Sequence, residues 1–152
     1  NLAMHAARSC WVTLMDVDYA MNASLAAKVA SIDKTNAANI YKFRRDNPRK
    51  RVHPAIALMH KRTYWHAGGC DEDFVGHYGM TDPHFWHRVS QNRKNIAILT
   101  PEWPIMQYIT AGRVGAQLIK EPNRNRVLFT KKRQGKLAWS NSYLRFNFCK
   151  ED

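Results

Sequence analysis

Apolar residues fall in short runs along this chain, with polar and glycine-bearing stretches between them. Cys10–Met15 (Cys-Trp-Val-Thr-Leu-Met) is a short run rich in strand formers. Such a run predicts a buried strand in a parallel or mixed sheet covered on both faces. Ile40–Phe43, Ala55–Met59 and Asn95–Leu99 predict further strands. Asn1–Arg8 reads as the end of a helix, and Ala23–Ala30 as a second helix capped by Asn22 or Ser24. Thr63–Ala67 predicts one or two helical turns, stopped by Gly68 and Gly69. A further helix is expected from Thr81 to about Gln91. Thr81 suits its cap, Asp82 its positive end and Pro83 its first turn, with Phe85, Val89 and Trp86 facing inward. Arg44–Arg51 is basic, contains Pro48 and reads as a loop. Strands alternating with helices indicate the α/β class.

After Pro101 the apolar pattern weakens. Glu121–Gln134 is basic and reads as helical after Pro122, and Trp139–Phe148 is an aromatic stretch expected to fold back on the body. No internal repeat or low-complexity linker divides the chain, so 1–152 is expected to be one domain, with 100–152 as a basic, aromatic extension packing on 1–99.

Composition narrows the class. Of 152 residues, 45% are hydrophobic and 11% aromatic, a share that disordered chains do not carry. No apolar run approaches the roughly 20 residues that span a bilayer. The first residues, Asn1-Leu2-Ala3-Met4-His5, do not read as a secretory signal. They enter directly into a helix, so the chain is expected to begin inside a longer protein. The 24 Lys and Arg outnumber the 12 Asp and Glu, for a net charge of +12. That balance favours anionic partners: phosphorylated ligands, anionic lipid or nucleic acid. The basic residues lie mainly in 42–51 and 113–145, and the acidic ones concentrate around Asp71–Asp82. Cys10, Cys70 and Cys149 have no paired spacing and read as reduced thiols, consistent with a cytoplasmic location.

Two constellations carry candidate chemistry. In Asp16-Val17-Asp18, an extended backbone would turn both carboxylates to one side at the end of a strand. Open α/β sheets bind ligands at such an edge. Two adjacent carboxylates repel, and a hard cation such as Mg²⁺ or Mn²⁺ removes that cost. Asp16 and Asp18 are therefore candidate metal ligands. The second constellation runs from Gly68 to Arg88. Gly68, Gly69 and Gly79 permit sharp turns close to a ligand. Tyr78 and Trp86 offer flat rings on which sugars stack. Asp82, at a helix start, is held ionised and can act as a general base towards a hydroxyl.

The order "apolar strand, Asp-x-Asp", "Gly-Gly-x-Asp-Glu-x-Phe", "Gly-x-Tyr-Gly-x-x-Asp-x-x-Phe" resembles inverting glycosyltransferases of the GT-A fold, family-2-like enzymes and the related galactosyltransferases. Here the elements are Trp11–Asp18, Gly68–Phe74 and Gly76–Phe85. Asn1-Leu2-Ala3 to Ala7-Arg8 is similar to the helix that precedes the Asp-x-Asp strand in that family. The resemblance covers roughly residues 1–99. It implies a mixed sheet flanked by helices and a truncated C-terminal portion of the fold, with the nucleotide-binding front part before Asn1. It also implies a metal-assisted single displacement from a nucleotide-diphosphate sugar, of the UDP-sugar kind, to a glycan or lipid-linked acceptor. Asp16 and Asp18 would hold the metal and Asp82 would be the base. Gly68, Gly69, Asp71, Glu72, Tyr78, Gly79, Trp86 and Trp65 would shape the substrate sites. The family usually has Glu-Asp where this chain has Thr81-Asp82, and many members add a downstream His to the metal, whereas the last histidine here is His87.

Other classes compete. A catalytically inactive domain, or a module binding nucleic acid or an anionic surface, would also suit the charge, although no specific nucleic acid is expected. Peripheral contact with an anionic membrane fits the same residues. A metal-dependent hydrolase would use His84 and His87, spaced to share a helix face near Asp82.

Overall fold

The computed structural model describes residues 1–16, 19–44, 51–91, 96–101, 107–108 and 123–140. In chain order the elements are α1 (Leu2–Ala6), β1 (Trp11–Leu14), β2 (Tyr19–Ala20), α2 (Ala23–Ser31), β3 (Asn39–Arg44), β4 (Val52–His60), α3 (Lys61–His66), α4 (Thr81–Gln91), β5 (Ala97–Leu99), β6 (Gln107–Tyr108) and α5 (Arg124–Arg133). A single 3-10 turn, Glu72–Phe74, lies between α3 and α4. Four strands form one sheet in the order β1-β4-β3-β5, and β2 pairs with β6 in a separate ribbon.

The main sheet is mixed. β4 runs antiparallel to β1 on one side and to β3 on the other, while β3 and β5 run parallel. Ala55–Met59 of β4 is buried at every residue, which explains why this stretch reads as a continuous apolar run: helices cover both faces of the sheet. Ile56 and Leu58 join Tyr41, Phe43, Leu25 and Val29 in a core beneath α2. Ala57 and Met59 point the other way and join Ile40, Met4, Tyr64, Phe85 and Val89 beneath α1, α3 and α4. The alternation of successive residues between two cores is the period of a strand. Each side chain of this size stabilises the fold by roughly 1.5–3 kcal/mol when fully buried.

β1 departs from the expectation of a buried strand. It lies at an end of the sheet order, and all four residues are half-buried. Trp11 packs against the α2-side core and Val12 and Leu14 against the other, so an edge position still demands apolar residues on both faces. α2 begins where Asn22 accepts a hydrogen bond from the Leu25 N–H at 2.8 Å, so Asn22 is its cap. α4 buries Phe85 and Val89 as expected, and also His84, while Trp86 is only half-buried.

α5 is docked by two polar side chains. Asn125 donates to the carbonyls of Phe74, His77 and Gly79 at 3.2, 2.8 and 2.9 Å. Lys132, 1% exposed, reaches Asp71 at 2.6 Å and Asp73 at 2.5 Å. The basic stretch therefore attaches to the acidic one through buried charge. Among the described residues no helix is long and apolar enough to cross a membrane.

Candidate functional site

Asp16 follows β1 by two residues, and its carbonyl accepts from the Tyr19 N–H at 3.1 Å. Asp82 is the second residue of α4. α4 is pressed against β4 by Phe85 and Val89, and its Trp86 reaches the Pro54 carbonyl and lies under Lys42 of β3. The two acids, distant in the chain, come within electrostatic range. The Asp82 carboxyl is held above the usual carboxylate range, chiefly by desolvation and further by the charge of Asp16, with Lys42 opposing. The residue is nevertheless exposed on one side, as an accessible proton acceptor must be.

Lys42 comes from β3, where it breaks an otherwise apolar Ile-Tyr-Phe set. Its ammonium lies 3.9 Å above the Trp86 ring. Desolvation pushes its pKa below the ordinary lysine value, and Asp82 acts in the opposite direction. Trp86 is fixed further by its indole N–H, which donates to the Pro54 carbonyl. On the other flank, His53 of β4 is 3% exposed, and its Nε2 lies 3.7 Å from Asp16. Tyr19 packs edge-on against the His53 ring at 4.7 Å. The cluster is therefore Asp16, His53, Lys42, Trp86 and Asp82, drawn from the segment after β1 and from β4, β3 and α4.

Asp18 lies outside the described residues. Among those described, no three His, Cys, Asp or Glu side chains converge to hold a metal ion. Asp16 supplies one oxygen-donor group suited to Mg²⁺ or Mn²⁺, so the described donors alone fall short of a cation site. The zinc reading of His84 and His87 meets the same limit. His84 is fully buried between the rings of Phe74 and Trp139, and burial lowers its pKa to about 4, so it is neutral at pH 7. His87 stacks on Trp139.

The remaining predicted residues divide by exposure. Gly68 and Gly69 form the turn after α3 with φ of +88° and +61°. A Cβ on Gly68 would meet the Arg88 guanidinium, whose Nη1 donates to the Gly68 carbonyl at 3.1 Å. A Cβ on Gly69 would lie 2.8 Å from Asn1 Oδ1 and 3.1 Å from the Trp65 ring. These glycines permit close packing of the chain on itself. Trp65 packs edge-on against Tyr64 beside that turn. Asp71, expected to bind substrate, lines the cavity beside Glu72 and is also engaged within the fold. It is 2% exposed, and its oxygens are taken by Lys132, by the Ser140 N–H at 3.2 Å and by the Asp73 N–H at 3.0 Å. Trp86, expected as a stacking platform, carries Lys42 on its ring. Tyr78 is 67% exposed, and Gly79 next to it gives its carbonyl to Asn125.

Glu72 belongs to a second polar centre that sequence reasoning did not assign. The Asn1 side chain donates to Glu72 Oε1 and to the Cys70 carbonyl, each at 2.7 Å, and accepts from the Tyr64 hydroxyl at 2.7 Å and the Cys70 N–H at 3.0 Å. A cavity of about 350 Å³ opens between Asn1, Cys70, Glu72 and Thr81. Burial raises the Cys70 thiol above its ordinary pKa, so it stays protonated and is a weak nucleophile. Lys42 and Asn1 are the residues the sequence left unassigned. A lysine inside an apolar strand was the available signal for the first, and the resemblance of the opening helix for the second.

No protein-family model, curated protein or solved structure matches this chain.

Proposed function

We propose that this chain is the catalytic, acceptor-side part of an inverting glycosyltransferase of the GT-A kind. It would transfer a sugar from a nucleotide-diphosphate donor, such as a UDP-sugar, to a hydroxyl of a glycan or lipid-linked acceptor. The observation that supports this reading is exposed Asp82 in the first turn of α4, within electrostatic range of Asp16 and of Lys42, which lies over Trp86 of the same helix.

A carboxylate whose pKa moves towards the working pH is a stronger proton acceptor than an ordinary one. Asp82 takes the proton from the acceptor hydroxyl as that oxygen bonds to the anomeric carbon. The bond from that carbon to the donor diphosphate breaks on the opposite face, which inverts the centre. Lys42 keeps Asp82 ionised until the acceptor arrives, and is itself positioned by Trp86. Asp16, together with Asp18, is proposed to hold Mg²⁺ or Mn²⁺, which would supply charge to the leaving diphosphate. Exposed Tyr78 and the cavity beside Glu72 are the surfaces offered to acceptor.

The test is Asp82→Asn, with transfer and donor hydrolysis measured across a panel of nucleotide sugars. Loss of transfer by about 10²–10⁴-fold is expected. Binding of UDP with Mn²⁺ should persist in this variant and weaken in Asp16→Ala. Unchanged turnover in Asp82→Asn would overturn the assignment.

A further inference from the structure

We propose that the outer face of α5 is a docking surface for an anionic lipid bilayer. The helix has two unlike faces. Its inner face is spent on the body through buried Asn125 and Lys132. Its outer face presents Arg124, Arg126, Lys131 and Arg133, followed by Lys136, all exposed. Residues 123–140 contain no Asp or Glu, and none of these five cations makes an ion pair among the described residues. A groove of about 400 Å³ lies between Arg126, Lys131 and Lys136, with Val127 and Thr130 also lining it. Val127 is 50% exposed and Leu137 41%.

This combination separates a membrane from other anions. Lys and Arg near an anionic leaflet bind its headgroup phosphates, and interleaved apolar side chains enter the acyl boundary. Single-stranded nucleic acid would need open aromatic faces for its bases. The two aromatic residues of this segment, Phe129 and Trp139, are turned to His84 and His87 instead. Asn125 also ties α5 to the loop that carries exposed Tyr78, directly before α4 and Asp82. A docked α5 therefore holds this loop near the bilayer, where a lipid-linked acceptor would be reached. That consequence rests on the sugar-transfer reading, whereas the docking does not.

The experiment is co-sedimentation of the full chain with vesicles of phosphatidylcholine alone or with about one-third phosphatidylglycerol. Binding is expected only to the anionic vesicles, and salt should reverse it. Combined Arg126→Gln, Lys131→Gln and Lys136→Gln should weaken the partition about a hundredfold. Removing the same charge elsewhere, by Arg8→Gln, Lys28→Gln and Arg62→Gln, should weaken it far less. Val127→Asp alone should also lower it, with circular dichroism unchanged. No binding to anionic vesicles, or equal loss in the two triple variants, would overturn the proposal. So would stronger retention by a single-stranded oligonucleotide at equal phosphate concentration. None of these measurements involves donor or acceptor, so their failure and a failure of the Asp82→Asn test are read separately.

Discussion

Two regions of this molecule are built from the same parts and do opposite things. Each contains two aspartates, a lysine and a histidine: Asp71, Asp73, Lys132 and His84 in one, Asp16, Asp82, Lys42 and His53 in the other. In the first, Lys132 bridges both carboxylates directly and is sealed from water. In the second, the lysine rests on Trp86, and burial together with the charge of Asp16 raises the pKa of Asp82. The first region spends its charges on attaching α5. The second leaves a carboxylate exposed, with burial and Asp16 outweighing Lys42, which costs stability and leaves a group able to accept a proton.

The largest expected effects test each side of this contrast. Lys132→Met leaves Asp71 buried without its cation and should destabilise the fold by about 3–5 kcal/mol in urea unfolding. Adding Asp71→Asn should restore part of that loss. A change below about 1 kcal/mol would show that the buried pair is not what holds α5. Asp82→Asn should behave in reverse, with transfer falling as stated while stability holds or rises. The sign follows from the raised pKa. Folded Asp82 binds its proton more tightly than the unfolded chain does, so its contribution falls as pH rises above the ordinary carboxylate value. Neutralising the side chain removes that cost.

His84 gives a pH dependence of the opposite sign. Its folded pKa of about 4 lies below the ordinary 6.5, so the unfolded chain takes up the proton first. Stability is full above pH 6.5 and declines as pH falls towards 4. The slope of unfolding free energy against pH across that window should flatten in His84→Leu, and an unchanged slope would assign the acid sensitivity elsewhere. A smaller effect is expected at Lys42, whose removal frees Asp82 to rise further. In Lys42→Met the acid limb of the pH–rate profile should shift upward. The smallest concerns Met80, which has φ of +68° immediately before α4. A left-handed conformation costs a non-glycine residue about 1–2 kcal/mol, offset in part by the entropy of a glycine. Met80→Gly should raise stability by no more than about 1 kcal/mol in thermal unfolding.

The strands and helices were legible wherever a local pattern was enough. The apolar stretch at Ala55–Met59, the asparagine before α2 and the paired glycines after α3 each announced themselves, whereas Thr81, expected to cap α4, is its first helical residue and Met80 takes the cap position. Their signals are short-range: hydrophobic period, capping and turn conformation act within a few residues. Less was legible at the candidate site. Asp16 and Asp82 stand out as residue types in suggestive settings, but nothing local in the sequence shows Lys42 lying over Trp86, or Asp71 paired with Lys132.

What the chain's order of residues settled was which stretches would be strands or helices and which side of each would turn inward. What folding alone settled was partnership: β1 at the edge beside β4, Lys132 beneath Asp71, and Lys42 over Trp86 near Asp82. The physical reason is that a charge has no fixed meaning in a linear chain. Whether an aspartate becomes a buried brace or an exposed proton acceptor depends on the dielectric around it and on the charge brought opposite it. Both are supplied by segments distant in the chain.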